Sequence, residues 1–264
     1  MKKSPIFMTI CLAGASLGST LANADTIEVI SSGGFYSSME KLIPLFEKQT
    51  GHTVHLSSGS SMGASPTAIL NRLDRGERFD VVVLAAPELN KLAEKGYVDP
   101  NSQSPLVNSS IGMAVPKGAP KPDISSAEKF EKVLLNAKHI GYSASASGTH
   151  LEKDVFPSFP PVEYKVISSK AEKVVGDRVA KRIAEGQFDI GFQQISEIKP
   201  FTGKYGQVEL VGPIPAPYQK VTVFAAGIGK NSEHAKVAKE LIKFVKSPQA
   251  TQIIEEQGLE QVKE

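Results

Sequence analysis

Three short loops rich in serine, glycine and alanine stand out in the sequence, each between a strand pattern and a helix pattern. They cover residues 31–34, 57–63 and 143–149. In open α/β sheets ligands bind at the carboxyl ends of the strands, where the N–H groups of helix N-termini attract anions. The three loops therefore predict an anion-binding pocket. A single such loop would be explained equally well as an ordinary turn, because turns favour glycine and serine.

Two ionisable side chains near these loops suit chemistry on an anion. His150 directly follows the third loop at the start of a predicted helix, where an imidazole can act as acid or base near neutral pH. A helix-capping or surface histidine is an equally good interpretation. Arg178 lies on a helix predicted over residues 174–186, and its guanidinium can hold a carboxylate through two parallel hydrogen bonds.

The second loop contains a G-x-S-x-G pattern at residues 59–63, which is typical of the nucleophile turn of serine hydrolases. Only one predicted strand precedes the strand that leads into this pattern, whereas the hydrolase nucleophile follows a strand deeper in the sheet, so a Ser61 nucleophile is the weakest hypothesis. His52 and His55 are three residues apart on a predicted strand and face opposite ways, so they cannot share a metal ion. The sequence predicts neither a metal nor a cofactor.

Alternating strand and helix patterns supply the framework for these loops and predict an α/β fold with two lobes. The first lobe is predicted to comprise residues 25–106 and 228–264, and the second residues 107–227, with the Pro/Gly tract at 212–217 crossing between them. Strands are predicted at 26–30, 52–57, 80–86, 111–115, 139–142, 188–192 and 221–226, and helices over 39–50, 66–75, 126–137, 150–155, 174–186, 233–246 and 248–257.

The first 24 residues have the pattern of an export signal. Lys2 and Lys3 precede an apolar stretch at residues 6–17, and the small-x-small sequence at 22–24 predicts cleavage after Ala24. The stretch is too short to span a bilayer, which takes about 20 apolar residues, so we expect no stable membrane insertion. These features predict a periplasmic protein.

Cleavage would change the composition in an informative way. It would leave 240 residues with 28 basic and 28 acidic side chains, and would remove Cys11, the single cysteine of the 264-residue chain. A cysteine-free chain suits an oxidising compartment. A neutral chain without tryptophan offers no nucleic-acid-binding signature. Bulk charge cannot attract an anion to such a chain, so selectivity must come from the loops.

Five segments, taken in order along the chain, resemble the type II periplasmic solute-binding proteins, and within them the molybdate-binding proteins of ABC transporters. They are residues 29–33, 59–63, 75–82, 189–194 and 246–248. The resemblance covers essentially the whole mature chain. It implies two α/β lobes, joined by two crossings, that close on a small ligand.

Two departures from the molybdate-binding pattern point to a different anion. Gly34 stands where those proteins place a serine, and Gln194 stands where they use a tyrosine hydroxyl. Each missing donor to a buried charged group costs about 1.5–3 kcal/mol. The amides of Gln193 and Gln194 suit a planar carboxylate better than molybdate.

With these departures the chain resembles the periplasmic aconitate isomerases, which are built on the same scaffold. The resemblance implies conversion of trans-aconitate to cis-aconitate by an allylic 1,3 proton shift, without a cofactor, in a monomer. His150 is the predicted proton shuttle. The predicted substrate-binding residues are Ser31, Ser32, Gly33, Ser60, Ser61, Ser145, Ser147, Thr149, Arg178 and Gln194. The alternative is a binding protein that delivers molybdate or an organic anion to an ABC permease.

Overall fold

The computed structural model describes residues 24–262, which form two β-sheets flanked by helices. The predicted export signal lies outside the described residues except for Ala24. In chain order the elements are β1 Thr26–Ser32, α1 Gly33–Thr50, β2 Thr53–Gly59, α2 Ile69–Asp74, β3 Val81–Ala85, α3 Ala86–Glu94, β4 Ser104–Ser109, β5 Ile111–Pro116, α4 Ala127–Asn136, β6 Ile140–Ser143, α5 Ala146–His150, α6 Pro161–Ser168, β7 Ala171–Val174, α7 Val179–Ala184, β8 Ile190–Gln194, α8 Ile195–Ile198, β9 Val208–Pro213, β10 Thr222–Ile228, α9 Ala235–Val245, α10 Pro248–Glu256 and β11 Leu259–Gln261.

The first sheet has the strand order β11-β4-β10-β3-β1-β2 and forms the centre of the first lobe. Its middle strand β3 is a continuous apolar run buried on both faces, which is why it can carry a helix layer on each side. Along α1, Met39, Leu42 and Phe46 are at most 1% exposed and pack on one of these faces. Gly51, in the left-handed conformation at φ 78°, ends this helix.

The second sheet has the strand order β7-β6-β8-β5-β9 and forms the centre of the second lobe. Its parallel strands β6, β7 and β8 direct their carboxyl ends to one edge, where α5, α7 and α8 begin. Phe130 on α4 packs edge-on against Phe192 on β8, at 5.7 Å between ring centroids. The two-lobe α/β fold predicted from the sequence is confirmed.

The strand pairings move the borders between the lobes relative to the sequence prediction. β10 pairs with β3 and β4 in the first sheet, so residues 222–227 belong there rather than in the second lobe. Residues 107–109 likewise complete β4. The tract at 212–217 is only partly a crossing, because residues 212–213 pair with β5. The chain therefore crosses between the lobes at Ser110 and again between β9 and β10. Each lobe is defined by strand pairing, which the apolar pattern of the sequence does not reveal.

One helix prediction near the site is wrong at its start. The sequence predicts a helix over residues 174–186, but Val174 ends β7, Gly176 adopts a left-handed φ of 74° and α7 begins only at Val179. A glycine in this conformation ends a strand with a turn. Arg178 consequently occupies the N-cap position of α7 instead of a position inside the helix. Within residues 24–262 no helix is long and apolar enough to cross a membrane.

Candidate active site

A cavity of about 420 Å³ lies in the cleft between the two lobes. The first lobe lines it with Gly33, Ser58, Gly59, Ser60, Met62, Gly63, Ala64, Ser65 and Thr67. The second lobe lines it with Ser143, Ala144, Ser145, Val174, Val175, Gly176, Asp177, Arg178, Gln193, Glu197 and Phe201. The volume falls in the range of small-molecule sites, about 300–1,000 Å³.

The first-lobe wall is built from the loop after β2 and from the start of α1. Within the loop, Ser60 Oγ donates to the Met62 carbonyl at 3.0 Å, and Gly63 turns the chain with a φ of 102°. α1 begins at Gly33, and its first turn, residues 33–36, contains no acidic residue. The N-terminus of this 18-residue helix therefore directs the positive end of its dipole toward the cleft, with no acidic residue in its own first turn.

Arg178 provides a cation on the second-lobe wall. The neighbouring Asp177 accepts from Lys181 Nζ and Arg182 Nε, both at 3.0 Å, so its charge is balanced by these cations and not by Arg178. Within the described part of the chain, the Arg178 guanidinium forms no ion pair, and it lies 5.9 Å from the centre of the Phe201 ring. A half-buried guanidinium with unused donors is suited to bind a carboxylate of a ligand.

Glu197 is a further ionisable group of this wall, and sequence reasoning missed it. Its residue is only 8% exposed, and its Oε1 fills the space that a Cβ on Gly33 would occupy. Burial raises the pKa of this carboxyl to about 7. The nearby Arg178 and hydrogen bonding by Gln193 and Gln194 lower the pKa of Glu197 but do not offset the effect of burial.

The local sequence explains how Glu197 reaches the cavity. β8 is buried along all five residues and ends at Gln194, which is the N-cap of α8. The chain then turns through a four-residue helix in which Ser196, Glu197 and Ile198 are all buried. Ser196 Oγ donates to the Gly34 carbonyl at 2.7 Å, so this short helix is fastened to the start of α1. Glu197 and Gly33 therefore meet where the two lobes touch.

The structure brings four of the predicted site residues to the cavity lining: Gly33, Ser60, Ser145 and Arg178. Seven others do not line it: Ser31, Ser32, Ser61, Ser147, Thr149, His150 and Gln194. Gln193, whose amide is expected to suit a carboxylate, also lines the cavity, whereas the sequence prediction lacks Asp177 as well as Glu197. Each of the three predicted loops thus reaches the cavity lining, but the side chains of those loops divide between the cavity and the interior.

Serine side chains behind the lining stabilise the loops. Ser61 is buried and its Oγ accepts from the Ala85 backbone at 3.3 Å, an arrangement that supports the loop and does not activate a nucleophile. Ser31 Oγ donates to the Ser32 carbonyl at 3.1 Å. Ser147 Oγ shares a hydrogen bond of 2.9 Å with Ser143. Their hydroxyls are therefore used within the protein.

Gln194 and Thr149 connect the lobes. The Gln194 amide accepts from Ser109 Oγ at 2.8 Å and donates to Thr222 Oγ1 at 3.0 Å, so it bridges the ends of both crossings. Thr149 Oγ1 lies 3.4 Å from Met62 Sδ across the cleft. Ser32 Oγ is buried beside Gly33 without a hydrogen-bond partner among the described residues.

His150 is held within the second lobe. Its Nδ1 lies 2.8 Å from Asp154 Oδ2, and its Nε2 lies 3.0 Å from the Tyr218 carbonyl. A carbonyl can only accept, so Nε2 carries a proton and donates it there. Both ring nitrogens are engaged, which leaves none directed at the cavity. Within the described residues no group of three or more His, Cys, Asp or Glu side chains could hold a metal ion.

Two mixed sheets joined by two crossings, with a cavity between them, define the class of two-lobe periplasmic binding proteins. The chain belongs to the bacterial extracellular solute-binding proteins, whose family model matches residues 27–260. The family resemblance seen in the sequence is thereby confirmed. Membership implies that the cleft holds a small solute.

Individual relatives differ in what they do. An aconitate isomerase from a Pseudomonas species is 37% identical over 262 residues, which cover 98% of each chain. A putative ABC transporter substrate-binding lipoprotein of Bacillus subtilis is 23% identical over 97% of this chain and 98% of its own. The periplasmic molybdate-binding protein of Azotobacter vinelandii has a TM-score of 0.69 at 24% identity, covering 90% of this chain and 99% of its own, and it supports the fold alone.

Proposed function

We propose that this protein is a periplasmic isomerase that interconverts trans-aconitate and cis-aconitate. The observation that carries the proposal is Arg178, a guanidinium without an ion pair among the described residues, opening onto a cavity lined with hydroxyls. Such a site favours a polycarboxylate. The Pseudomonas aconitate isomerase, related over nearly the whole chain, supports aconitate as the polycarboxylate.

The proposed reaction needs modest machinery. A proton leaves the methylene carbon of trans-aconitate, the electron pair moves through the allylic system, and a proton returns to the carbon that was vinylic. The double bond thereby moves to the other side of the central carbon, and no atoms are gained or lost. The protein must hold three carboxylates, stabilise the charge that develops on them, and exchange one proton with carbon.

The two walls of the cavity match these requirements. Arg178 and the N-terminus of α1 favour negative charge, while Ser60, Ser145 and Gln193 offer neutral donors. One chain supplies both walls, which supports action as a monomer. The signal pattern with cleavage after Ala24 supports export of this chain to the periplasm.

A second function is favoured by the family itself. Delivery of an anion to an ABC permease would use the same cleft. The Bacillus relative is a putative substrate-binding lipoprotein of an ABC transporter. A delivery protein must bind and release its ligand unchanged. Turnover therefore separates the two functions.

The test is isomerisation by purified residues 25–264. We expect trans-aconitate and cis-aconitate, incubated separately with the protein, to reach the same mixture by chromatography. The Arg178→Gln variant, purified in parallel, controls for contaminating host enzymes, whose activity it would leave unchanged. Absence of conversion at high protein concentration, with tight one-to-one binding of molybdate by calorimetry, would instead establish the delivery function.

A further inference from the structure

The two lobes meet at a buried carboxyl group, that of Glu197. Glu197 is buried at the junction, with Oε1 in the space beside Gly33 and its side chain on the cavity lining. A buried carboxylate usually pairs closely with a cation. Here, within the described part of the chain, Glu197 forms no ion pair, although Arg178 is near enough to influence its charge.

We propose that the Glu197 carboxyl is the catalytic acid/base that moves the proton in the aconitate isomerisation, an inference that rests on the proposed function. The position of the Glu197 carboxyl supports this assignment. The carboxyl is part of the cavity wall, on the same side as Arg178, which would anchor a substrate carboxylate. His150, the other titratable candidate, does not line the cavity and has both ring nitrogens engaged.

The surroundings of Glu197 suit proton exchange with carbon at neutral pH. The pKa of about 7 leaves both forms populated, as general acid–base catalysis favours. Ionisable groups on the elements packed against its helix include Arg178 at the start of α7, Tyr36 and Glu40 on α1, and Lys199 after α8. Of these, Arg178 lowers the pKa of Glu197 and so favours the carboxylate needed to start the reaction.

Each step balances with this one group. The Glu197 carboxylate removes a proton from the substrate methylene, and the electron pair of the broken C–H bond delocalises over the allylic carbons and their carboxylates. The resulting Glu197 carboxylic acid then donates the proton to the former vinylic carbon. The double bond has moved, Glu197 is a carboxylate again, and neither oxidant nor cofactor is consumed.

The experiment compares Glu197→Gln with the wild-type protein and with Glu172→Gln, an exposed control in the same lobe. Glutamine has nearly the size of the protonated carboxyl, so we expect the fold to persist. The kcat of Glu197→Gln should fall by about 10²- to 10⁴-fold, the usual contribution of a general acid or base. Binding of trans-aconitate by calorimetry should change less than tenfold, and Glu172→Gln should match the wild type in both.

Glu197→Asp and the pH profile provide an independent readout. In the wild type, kcat/KM should fall tenfold per pH unit below about pH 7, because the carboxylate is lost as the pH drops. Glu197→Asp should retain weak turnover, and its fall in kcat/KM should begin at a different pH. If the wild type isomerises aconitate and Glu197→Gln does so within threefold, the assignment is overturned while the proposed function stands. If the wild type shows no turnover, the proposed function itself fails.

Discussion

The two walls of the cleft differ in chemistry, although the same kinds of loop build both. The lining residues of the first lobe, all within the described part of the chain, include no ionisable side chain. The second-lobe wall contributes Asp177, Arg178 and Glu197. The first lobe therefore offers hydroxyls, backbone donors and the N-terminus of α1, whereas charge and proton exchange belong to the second lobe. Substitutions in either wall test this difference in chemistry.

Apart from the loss of kcat in Glu197→Gln, the largest effect we expect is on stability, and it is specific to the second-lobe wall. The pKa of Glu197 is about 7 in the folded protein against an ordinary 4.5. The folded state therefore binds the Glu197 proton more tightly than the unfolded state does. This difference stabilises the folded protein fully below pH 4.5, and the stabilisation is lost as the pH rises through 7. The shift corresponds to about 3 kcal/mol.

Glu197→Gln should therefore be more stable than the wild type at pH 8, by up to about 3 kcal/mol in the free energy of unfolding, and equally stable at pH 4.5. Denaturant unfolding at both pH values measures this difference. Glu172→Gln, which changes an exposed carboxyl, should track the wild type at both. If Glu197→Gln is no more stable than the wild type at pH 8, the Glu197 carboxyl ionises in the folded protein at little cost in free energy. The second-lobe wall would then not differ from the first-lobe wall in this respect.

The second effect concerns ligand affinity. Arg178→Gln removes a charged hydrogen-bond donor of the second-lobe wall, and such a bond contributes about 1.5–3 kcal/mol. The Kd for trans-aconitate should rise by about 10- to 150-fold, measured by calorimetry at pH 8. Arg78→Gln is the matched control, because Arg78 is exposed on the first lobe away from the cleft. Equal losses in both variants would mean that overall charge, and not the site, attracts the ligand.

The third effect lies where the walls meet. A Cβ at Gly33 would collide with the Glu197 carboxylate, the movable end of a side chain, whereas one at Gly34 would collide with the buried Phe224 ring. Gly33→Ala should displace the carboxyl and lower kcat by about 10- to 100-fold with little loss of stability. Gly34→Ala should instead destabilise the fold by about 1–3 kcal/mol. Steady-state kinetics and thermal unfolding of both variants separate the two outcomes, and an active Gly33→Ala would show that the carboxyl tolerates displacement.

Much of the fold could be predicted because its signals are local. β3 is a short apolar run, and α1 and α9 have apolar residues at helical spacing with identifiable ends. The placement of β10 could not be predicted, because this strand inserts antiparallel between β3 and β4, which lie more than a hundred residues away in sequence. The sequence patterns also assign no helix to residues 161–168, where Val162, Tyr164 and Val166 are left exposed.

The site residues likewise divide into those that the sequence could predict and those that depend on tertiary contacts. Gly33, Ser60, Ser145 and Arg178 could be predicted because strand-to-helix loops collect at the carboxyl ends of strands. Which hydroxyl of a loop faces the ligand depends on tertiary partners, such as the Ala85 backbone that holds Ser61. Glu197 gives only a weak local signal, a carboxyl between Ile195 and Ile198 just after a buried strand. Its burial is decided by α1, which lies far away in sequence.

The smallest effect tests the neutral wall. Ser60 Oγ lines the cavity and already donates to the Met62 carbonyl, so a ligand competes with this bond and gains little from the hydroxyl. An uncharged hydrogen bond contributes about 0.5–1.5 kcal/mol, so Ser60→Ala should weaken trans-aconitate binding by about 2- to 10-fold and leave the pH profile unchanged. Ser145→Ala, across the cleft, is the matched comparison, and calorimetry with pH-dependent kinetics measures both. A Ser60→Ala loss as large as that of Arg178→Gln would mean that the first lobe holds a substrate charge directly, and the two walls would then share the role here assigned to the second lobe.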